Sequence, residues 1–433
     1  MFSIVINQVK SLASRSTEKV LFRNFLFMVL LQGANYLLPL VTVPYIARTL
    51  SVENFGLINY SQAFIGYTTL FINFGFDYTA TREVAANRGN TQKISTVFST
   101  TISAKVLLFA LTLLVYFPVI YTIPKFTAHA DVYLITFLVN IGIILMPSWL
   151  YQGMERLSYI ALFSFGIRII FTGLIFLLVK SNADYLYIPL STAIGQFLVG
   201  VVSFILAIKL FNLKPYVAKL KAVVSSLREG LPIFASTVAV NLYTTTNLVV
   251  LGFMVSDTVV GYYAASSKLI LIFVSAVMFP VGLTLFPFIG KKLSISHQSG
   301  MNALRKATYL VGGATFILSC GILLLSDYII TLIYGAQFTA AADSLRILAF
   351  LPFVIGLNNI FGTQGVLNLK MDKIFLMITT TGAVTSVALN LILVPILAEK
   401  GTALAWLVTE VFITVSFFIT LRRKGFRLLK SRV

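Results

Sequence analysis

Long apolar stretches alternate with short polar or basic segments along almost the whole chain. A helix needs about 20 largely apolar residues to cross the hydrocarbon core of a bilayer. Twelve stretches meet that length, and the prolines inside several of them are tolerated in membrane helices. The pattern therefore predicts an all-α integral membrane protein with twelve transmembrane helices, at 23–46, 56–78, 96–120, 131–152, 158–180, 185–208, 231–254, 259–289, 306–333, 343–367, 373–397 and 400–421.

Composition agrees with that prediction. Of the 433 residues, 58% are hydrophobic and 11% are charged, against about 25% charged in an average soluble domain. A net charge of +19 could indicate nucleic acid, but the basic residues lie at the ends of apolar runs, so no nucleic-acid partner is predicted. Cys320 is the sole cysteine, which excludes an internal disulfide.

Sites for cofactors and catalysis are not evident in the sequence. The only histidines, His129 and His297, fall in predicted loops and do not form a metal-binding pair. No phosphate-binding glycine loop with its lysine and hydroxyl residue is present. The sequence predicts no cofactor, no metal and no enzymatic activity.

Lysine and arginine residues set the predicted orientation. Most of the 33 basic residues lie in alternate connecting segments together with both termini, and basic loops remain in the cytoplasm. Both termini are therefore predicted to be cytoplasmic. Three cytoplasmic segments flank the spans: an amphipathic N-terminus over 1–22, a basic linker over 209–230 and a basic tail over 422–433.

The two halves of the chain share short motifs in the same order. Ser51–Gly56 corresponds to Ser256–Gly261, and the pair Gln152-Gly153 corresponds to Gln364-Gly365. With six spans in each half, such repeats are related by an axis along the membrane normal. We expect an N-terminal six-helix lobe over 23–208 and a C-terminal six-helix lobe over 231–421, with pseudo-two-fold symmetry.

Motifs around the first two spans resemble a known family. They are Ala47–Ser51 with Phe55-Gly56, then Asn73–Asp77 with Thr81–Ala85, and Gln152-Gly153 after the fourth span. Together with the two-lobe layout, they are similar to those of O-antigen (Wzx-type) oligosaccharide flippases. These flippases form the polysaccharide-transport family of the multidrug/oligosaccharidyl-lipid/polysaccharide exporter superfamily, which has a MATE-like fold.

The resemblance implies an activity in lipopolysaccharide biosynthesis. Such proteins move undecaprenyl-pyrophosphate-linked oligosaccharide from the inner to the outer leaflet of the bacterial cytoplasmic (inner) membrane by alternating access. Membrane lipids are implied partners, and other O-antigen assembly proteins are further candidates. The resemblance does not identify the sugar.

A pyrophosphate head group would be stabilised by cations in a central cavity. Four cations lie within predicted spans: Lys105, Arg168, Lys268 and Arg346. A charge at a helix centre costs roughly 2.5–3.5 kcal/mol on insertion scales, so it usually faces water or a partner. Arg168, close to mid-span, is the strongest candidate for substrate binding. Lys105 could instead extend to the interface, and Arg346 could be an interfacial anchor.

Charged residues at span ends form a second predicted group. The stretch Asn73–Arg88 reads as an inside-facing corner. The residues predicted to gate the cavity or contact the head group are Arg48, Arg82, Lys291, Asp77 and Glu83. Asp77 and Glu83 are candidate partners of Arg82, and Lys291 is its expected counterpart in the second lobe.

Other polar and aromatic residues within the spans carry weaker predictions. Glu410, the only acid deep in a predicted span, could take part in ion coupling or in a buried pair. Four tyrosines are candidates for stacking on sugar rings, although any one of them is more often part of the core: Tyr36, Tyr60, Tyr151 and Tyr243.

Two alternative functions remain open on the sequence. A multidrug/cation antiporter of the same superfamily would require buried acids, and only Glu410 qualifies. A membrane-embedded O-antigen polymerase or ligase belongs to a different class and would be expected to carry a sizeable outer loop. The predicted outer loops here are short.

Reporter fusions test the predicted orientation. A reporter that is active only in the cytoplasm should be active after residue 90 and after residue 425, and inactive after residue 183 and after residue 256. Activity at all four positions would contradict the positive-inside assignment.

Overall fold

A computed structural model describes residues 38–39, 41–244 and 246–427. The predicted amphipathic N-terminus, most of the first predicted span and residues 428–433 of the predicted tail lie outside the described residues. Within the described part the chain is helical and contains no strand. The predicted all-α class is therefore confirmed.

The helices follow one another with short connections. In chain order they are α1 (41–49), α2 (Val52–Asn73), α3 (Phe76–Ala86), α4 (Thr91–Thr122), α5 (Pro124–Thr127), α6 (Ala130–Phe137), α7 (Val139–Leu145), α8 (Ser148–Gly153), α9 (Leu157–Leu178), α10 (Tyr187–Leu210), α11 (Leu220–Thr244), α12 (Thr246–Met254), α13 (Asp257–Ile295), α14 (His297–Tyr334), α15 (Ala341–Leu348), α16 (Leu351–Asn358) and α17 (Asp372–Arg423). Short 3-10 helices span Asn182–Leu186 and Ala336–Phe338, and a π-helix spans Asn359–Leu367.

Among the described residues, eight helical segments are long and apolar enough to cross a membrane. They cover nine of the predicted spans, because the last two form the single helix α17, which bends at Ala398 (φ 50°, ψ −127°). The predicted spans 56–78 and 231–254 are largely helical in α2, α11 and α12 but are not among the eight. The chain is a multi-pass membrane protein, and the count of twelve spans stays a prediction.

The chain divides into two compact units. The first comprises Phe64–Thr237 and the chain up to Ile46, and the second comprises Ala47–Ala63 and Val238–Val433. The predicted lobe bounds at 208 and 231 stay a prediction.

Aromatic side chains fill the core of the first unit. Phe98, Trp149, Tyr151 and Phe163 are almost wholly buried there. Helix α10 packs against α7 and α9, and α3 packs against α8. This arrangement fixes α3, which carries most of the Asn73–Arg88 stretch, against the rest of the unit.

The chain turns sharply between α2 and α3. Phe74 and Gly75 both have positive φ, 45° and 77°, a conformation that glycine adopts readily. A Cβ on Gly75 would come within 2.9 Å of the Ile233 side chain. The Phe74 ring stacks on Phe234 with centroids 4.4 Å apart. The turn therefore packs directly against α11.

The segment between α10 and α11 is tied to α4 through a ladder of serines. The backbone N–H groups of Lys214, Tyr216 and Ala218 donate to the hydroxyls of three serines four residues apart, at 3.0–3.1 Å: Ser95, Ser99 and Ser103. Two extended residues advance about 6.6 Å, and four helical residues advance about 6 Å. This match lets an extended chain follow one face of a helix.

The beginning of α2 packs within the second unit. The Gln337 side-chain amide donates to the carbonyls of Ala47 at 2.6 Å and Leu50 at 2.9 Å. The Phe55 ring meets Tyr334 and Phe338 edge-on. These contacts explain why Ala47–Ala63 groups with residues far along the chain.

Two glycines from the repeated motifs approach each other's helices. A Cβ on Gly56 would lie 1.8 Å from the carbonyl oxygen of Asp257, and a Cβ on Gly261 would lie 2.3 Å from that of Val52. Val52 corresponds to Asp257 in the repeat just as Gly56 corresponds to Gly261. The two contacts are therefore equivalent and reciprocal.

Alanine at either glycine should lower the thermal stability of the purified protein in detergent. Gly56→Ala and Gly261→Ala place a methyl group onto backbone atoms, which we expect to cost about 1–3 kcal/mol. Gly66→Ala on α2 and Gly282→Ala on α13 are matched controls, because no described atom lies within 4 Å of a Cβ there. Equal melting temperatures for all four variants would contradict the close helix approach.

Candidate functional site

Lys105 is a buried structural cation in the first unit. Its side chain is 1% exposed, and its ammonium donates to the Asn73 side-chain oxygen at 2.8 Å. Asn73 ends α2 immediately before the Phe74–Gly75 turn. The lysine therefore connects α4 to this corner, and one of its three N–H donors is used within the fold.

The acidic residues of the corner do not form ion pairs with Arg82. Ser148 donates to the Asp77 carboxylate at 3.3 Å. Arg82 and Glu83 lie on the exposed side of α3, and no ion pair within the described residues includes Arg82. Partial loss of hydration and then the neighbouring Glu229 raise the pKa of Glu83, while Arg82 acts in the opposite direction.

Arg88 forms the ion pair that Arg82 lacks. Its guanidinium lies 2.7 Å from the Glu155 carboxylate and also donates to the Gly153 carbonyl at 2.7 Å. These contacts connect the segment after α3 to the end of α8. The sequence analysis did not single out Arg88, because a basic residue in a loop reads as a topology signal.

Arg168 lies in the middle of the apolar helix α9. Its side chain is partly buried, and it forms no hydrogen bond or ion pair with any residue that the structure describes. A cation held within a span without a carboxylate is costly. No described residue supplies a counter-charge to Arg168.

Lys268 has comparable surroundings in the second unit. It lies on α13 next to the wholly buried Ser266 and Leu269, and its ammonium lies 5.5 Å from the centre of the Phe55 ring. A cation–π contact of this kind supplies only part of the stabilisation that water would give. No carboxylate among the described residues pairs with it.

Arg346 and Arg48 have partners near helix ends. Arg346 pairs with Asp327 and, at 2.6 Å, with Asp343, which also receives Lys400 at 2.7 Å. Arg48 donates to the Leu332 carbonyl near the end of α14. This geometry fits interfacial anchoring, which the sequence left open for Arg346, and the gating role of Arg48 stays a prediction.

Lys291 lies near the end of α13 on the exposed surface of the second unit. It forms no ion pair with a described carboxylate. Its predicted correspondence to Arg82 stays a prediction.

Among the described residues, an amide and not a cation binds Glu410. It is 6% exposed, and the Asn358 side-chain amide donates to its carboxyl at 2.7 Å. Asn358 immediately precedes the π-helix Asn359–Leu367, a type of helix often found at functional sites. The glutamate thus connects the part of α17 that follows Ala398 to the residue that immediately precedes the π-helix.

A buried amide cluster escaped the sequence analysis. The side-chain oxygen of Asn247 accepts from Ser386 at 3.1 Å and from Asn390 at 2.8 Å. All three residues are nearly inaccessible. Uncharged residues in apolar runs do not stand out in the charge pattern. Only the spacing of Ser386 and Asn390, which are four residues apart, could have indicated that they share a helix face.

The tyrosines proposed for sugar stacking do not support that role. Tyr60 and Tyr151 are wholly buried, and the Tyr151 hydroxyl donates to the Ser203 carbonyl at 2.7 Å. That prediction is wrong for these two, because both rings are part of the core. Tyr36 and the side chain of Tyr243 lie outside the described residues.

Among the described residues, no group of three histidine, cysteine, aspartate or glutamate side chains could hold a metal ion.

The fold is that of a class of membrane transporters. Over 92% of this chain and 96% of the other, it superimposes on an inward-facing multidrug resistance MATE family transporter of the MOP superfamily with a TM-score of 0.68 at 12% identity. It matches the inward closed conformation of the lipid II flippase MurJ with the same TM-score at 19% identity, over 91% of this chain and 87% of that one. At identities this low, the two comparisons establish a shared fold alone.

Sequence comparison then places the chain within a family. The family described as "Polysaccharide biosynthesis protein" matches residues 21–293, and the chain belongs to it. Two relatives named "Putative O-antigen transporter" come from Escherichia coli (strain K12) and Shigella dysenteriae. They are 29% and 27% identical, over 92% and 91% of this chain and 96% and 98% of their own lengths. The family expected from the motifs is confirmed.

Removal of the Lys105 ammonium should destabilise the first unit. Lys105→Ala leaves the Asn73 oxygen without its donor, and we expect a loss of about 2 kcal/mol in the free energy of unfolding. Arg168→Ala, at a position with no described partner, should cost less than about 0.5 kcal/mol. Thermal unfolding in detergent measures both, and equal losses would contradict the structural role of Lys105.

Proposed function

We propose that this protein is a flippase for lipid-linked O-antigen. It moves undecaprenyl-pyrophosphate-linked oligosaccharide units from the inner to the outer leaflet of the bacterial cytoplasmic membrane. Membership of the polysaccharide biosynthesis family, two relatives named as O-antigen transporters and the fold shared with a lipid II flippase support this proposal.

The observation that carries the proposal is that two cations, Arg168 and Lys268, pair with no described carboxylate. They lie in apolar helices of different units. A pyrophosphate is a double phosphate anion and would supply the missing negative charge. Arginine forms bidentate hydrogen bonds with phosphate oxygens, whereas lysine acts as a point charge.

We propose that transport occurs by alternating access between two six-helix lobes. Both lobes are inserted in the membrane in the same orientation. The reciprocal contacts of Gly56 with Asp257 and of Gly261 with Val52 support a pseudo-two-fold relation between the repeats. Parallel repeats of this kind are related by a symmetry axis along the membrane normal. In this scheme both termini are cytoplasmic, and Arg82 and Lys291 line the cytoplasmic entrance.

A cation antiporter receives less support from the same residues. The buried acid that it would need is Glu410, and this carboxyl is held by Asn358. Arg168 and Lys268, with which no described carboxylate pairs, have the opposite sign. Resistance of cells to cationic dyes measures this alternative directly, and we expect no protection.

Neutral substitutions of the two cations test the proposal. Arg168→Ala and Lys268→Ala should each reduce O-antigen display at the cell surface at least tenfold while protein levels hold, because the head group loses its counter-charge. Display is measured with O-antigen-specific antibody on cells that lack the chromosomal copy.

Two sets of variants complete the experiment. Arg168→Lys and Lys268→Arg keep the charge and should retain most of the display. Lys180→Ala removes an exposed cation just after α9 and should have no effect. Normal display in both neutral variants would refute the role of these cations.

A further inference from the structure

An open apolar groove lies on the second unit between α14, α16 and α17. Its volume is about 510 Å³, within the range of small-molecule sites. Gly312 and Gly313 contribute no side chain to its α14 wall, and four phenylalanines are among its lining residues: Phe316, Phe353, Phe361 and Phe418. Because α14 and α17 are membrane-spanning segments, the groove lies within the depth of the bilayer, and its apolar lining suits hydrocarbon.

The groove opens outwards and is not a sealed core cavity. Tyr309 and Phe316 on its α14 side are 56% and 53% exposed, and Val415 on its α17 side is 49% exposed. Within a bilayer, such exposed surface meets lipid chains. A concave surface holds one chain with more contact atoms than a convex one, so dispersion favours a resident chain.

Basic side chains lie one helical turn beyond one end of the groove. Arg305 and Lys306 precede Tyr309 on α14, and Arg422 and Arg423 follow Phe418 on α17. None of these four cations pairs with a carboxylate in the described part of the chain.

Contacts beyond the helix ends bring the two pairs of cations to the same end of the unit. The His297 ring at the start of α14 hydrogen-bonds the Lys424 carbonyl at 2.8 Å. Phe426 contacts Phe361, which lines the groove, with ring centroids 5.8 Å apart. We call the four cations the basic rim.

We propose that the groove binds one acyl chain of an anionic phospholipid whose phosphate lies at the basic rim. The orientation rule places the rim at the cytoplasmic surface, so the lipid belongs to the inner leaflet. Each cation near a membrane surface adds about 1 kcal/mol of attraction for anionic lipid. The volume suits a single acyl chain better than the much longer undecaprenyl chain. The inference does not depend on the transported substrate.

Lipid binding to the purified full-length protein tests the inference. Phosphatidylglycerol and phosphatidylcholine with the same acyl chains are titrated in neutral detergent, and retained lipid is counted by native mass spectrometry. We expect one phosphatidylglycerol to be retained at concentrations where phosphatidylcholine is lost. A bound lipid that prefers the folded state also raises the melting temperature.

Glycine variants on one helix separate the groove from the general surface. Gly313→Phe should fill the groove and abolish retention, since no described atom lies within 4 Å of a Cβ at that position. Gly321→Phe, two turns further along α14, has the same free space and should bind normally. If Gly313→Phe does not fold, Gly313→Leu replaces it.

Rim variants test the headgroup. The double variant Arg422→Gln with Arg423→Gln should bind phosphatidylglycerol about 30-fold more weakly and leave phosphatidylcholine unchanged. Unchanged retention in the Gly313 variant overturns the proposal, as does equal retention of the two phospholipids. Displacement of phosphatidylglycerol by equimolar undecaprenyl phosphate would also overturn it and assign the groove to the isoprenoid.

Discussion

Satisfaction of polar groups away from water is the constraint on which this structure depends. In hydrocarbon, every buried donor and acceptor needs a partner within the protein. Three arrangements meet this requirement with amides: Asn73 receives Lys105, Asn358 binds Glu410, and Asn247 receives Ser386 and Asn390. Side-chain amides suit this purpose because they both donate and accept without carrying charge. Arg168 and Lys268 differ from these arrangements because each carries a charge within an apolar helix and no described carboxylate pairs with it.

The second organising feature is the close approach of backbones at glycine. Gly56 and Gly261 admit the carbonyls of Asp257 and Val52 at distances that any side chain would prevent. Small residues at helix contacts replace the hydrophobic driving force, which is weak between helices in lipid. The amino-terminal half of α2 is thereby tied to residues about 200 positions further along the chain.

Much of the fold was predictable, because membrane thickness fixes the length of apolar helices and the basic loops set their direction. The predicted spans 96–120 and 158–180 coincide closely with α4 and α9. The break at Ala398 within α17 also falls between two predicted spans. The helical content of 343–367 was predicted, but the π-helix over its last nine residues was not, since so short an apolar stretch does not distinguish the two helix types.

The candidate site was harder to predict, because a charged residue within a span indicates a free-energy cost but does not indicate which residue pairs with it. Lys105 and Arg168 look alike in sequence, yet one is bound by Asn73 and the other has no described partner. Arg346 is neutralised by acids that are 3 and 19 residues away. Such partners depend on which helix faces pack together, and a single sequence does not specify those faces. The serine ladder on Ser95, Ser99 and Ser103 was missed for the same reason.

The contact between Lys105 and Asn73 also bears on how the chain enters the membrane. During synthesis the acceptor on α2 emerges before the donor on α4, so α4 meets a membrane in which its partner is already present. An ammonium inserted alone would cost several kcal/mol, whereas one delivered to a waiting amide is compensated on arrival. The order of α2 and α4 along the chain thus matches the order in which the bilayer can accommodate these two polar groups.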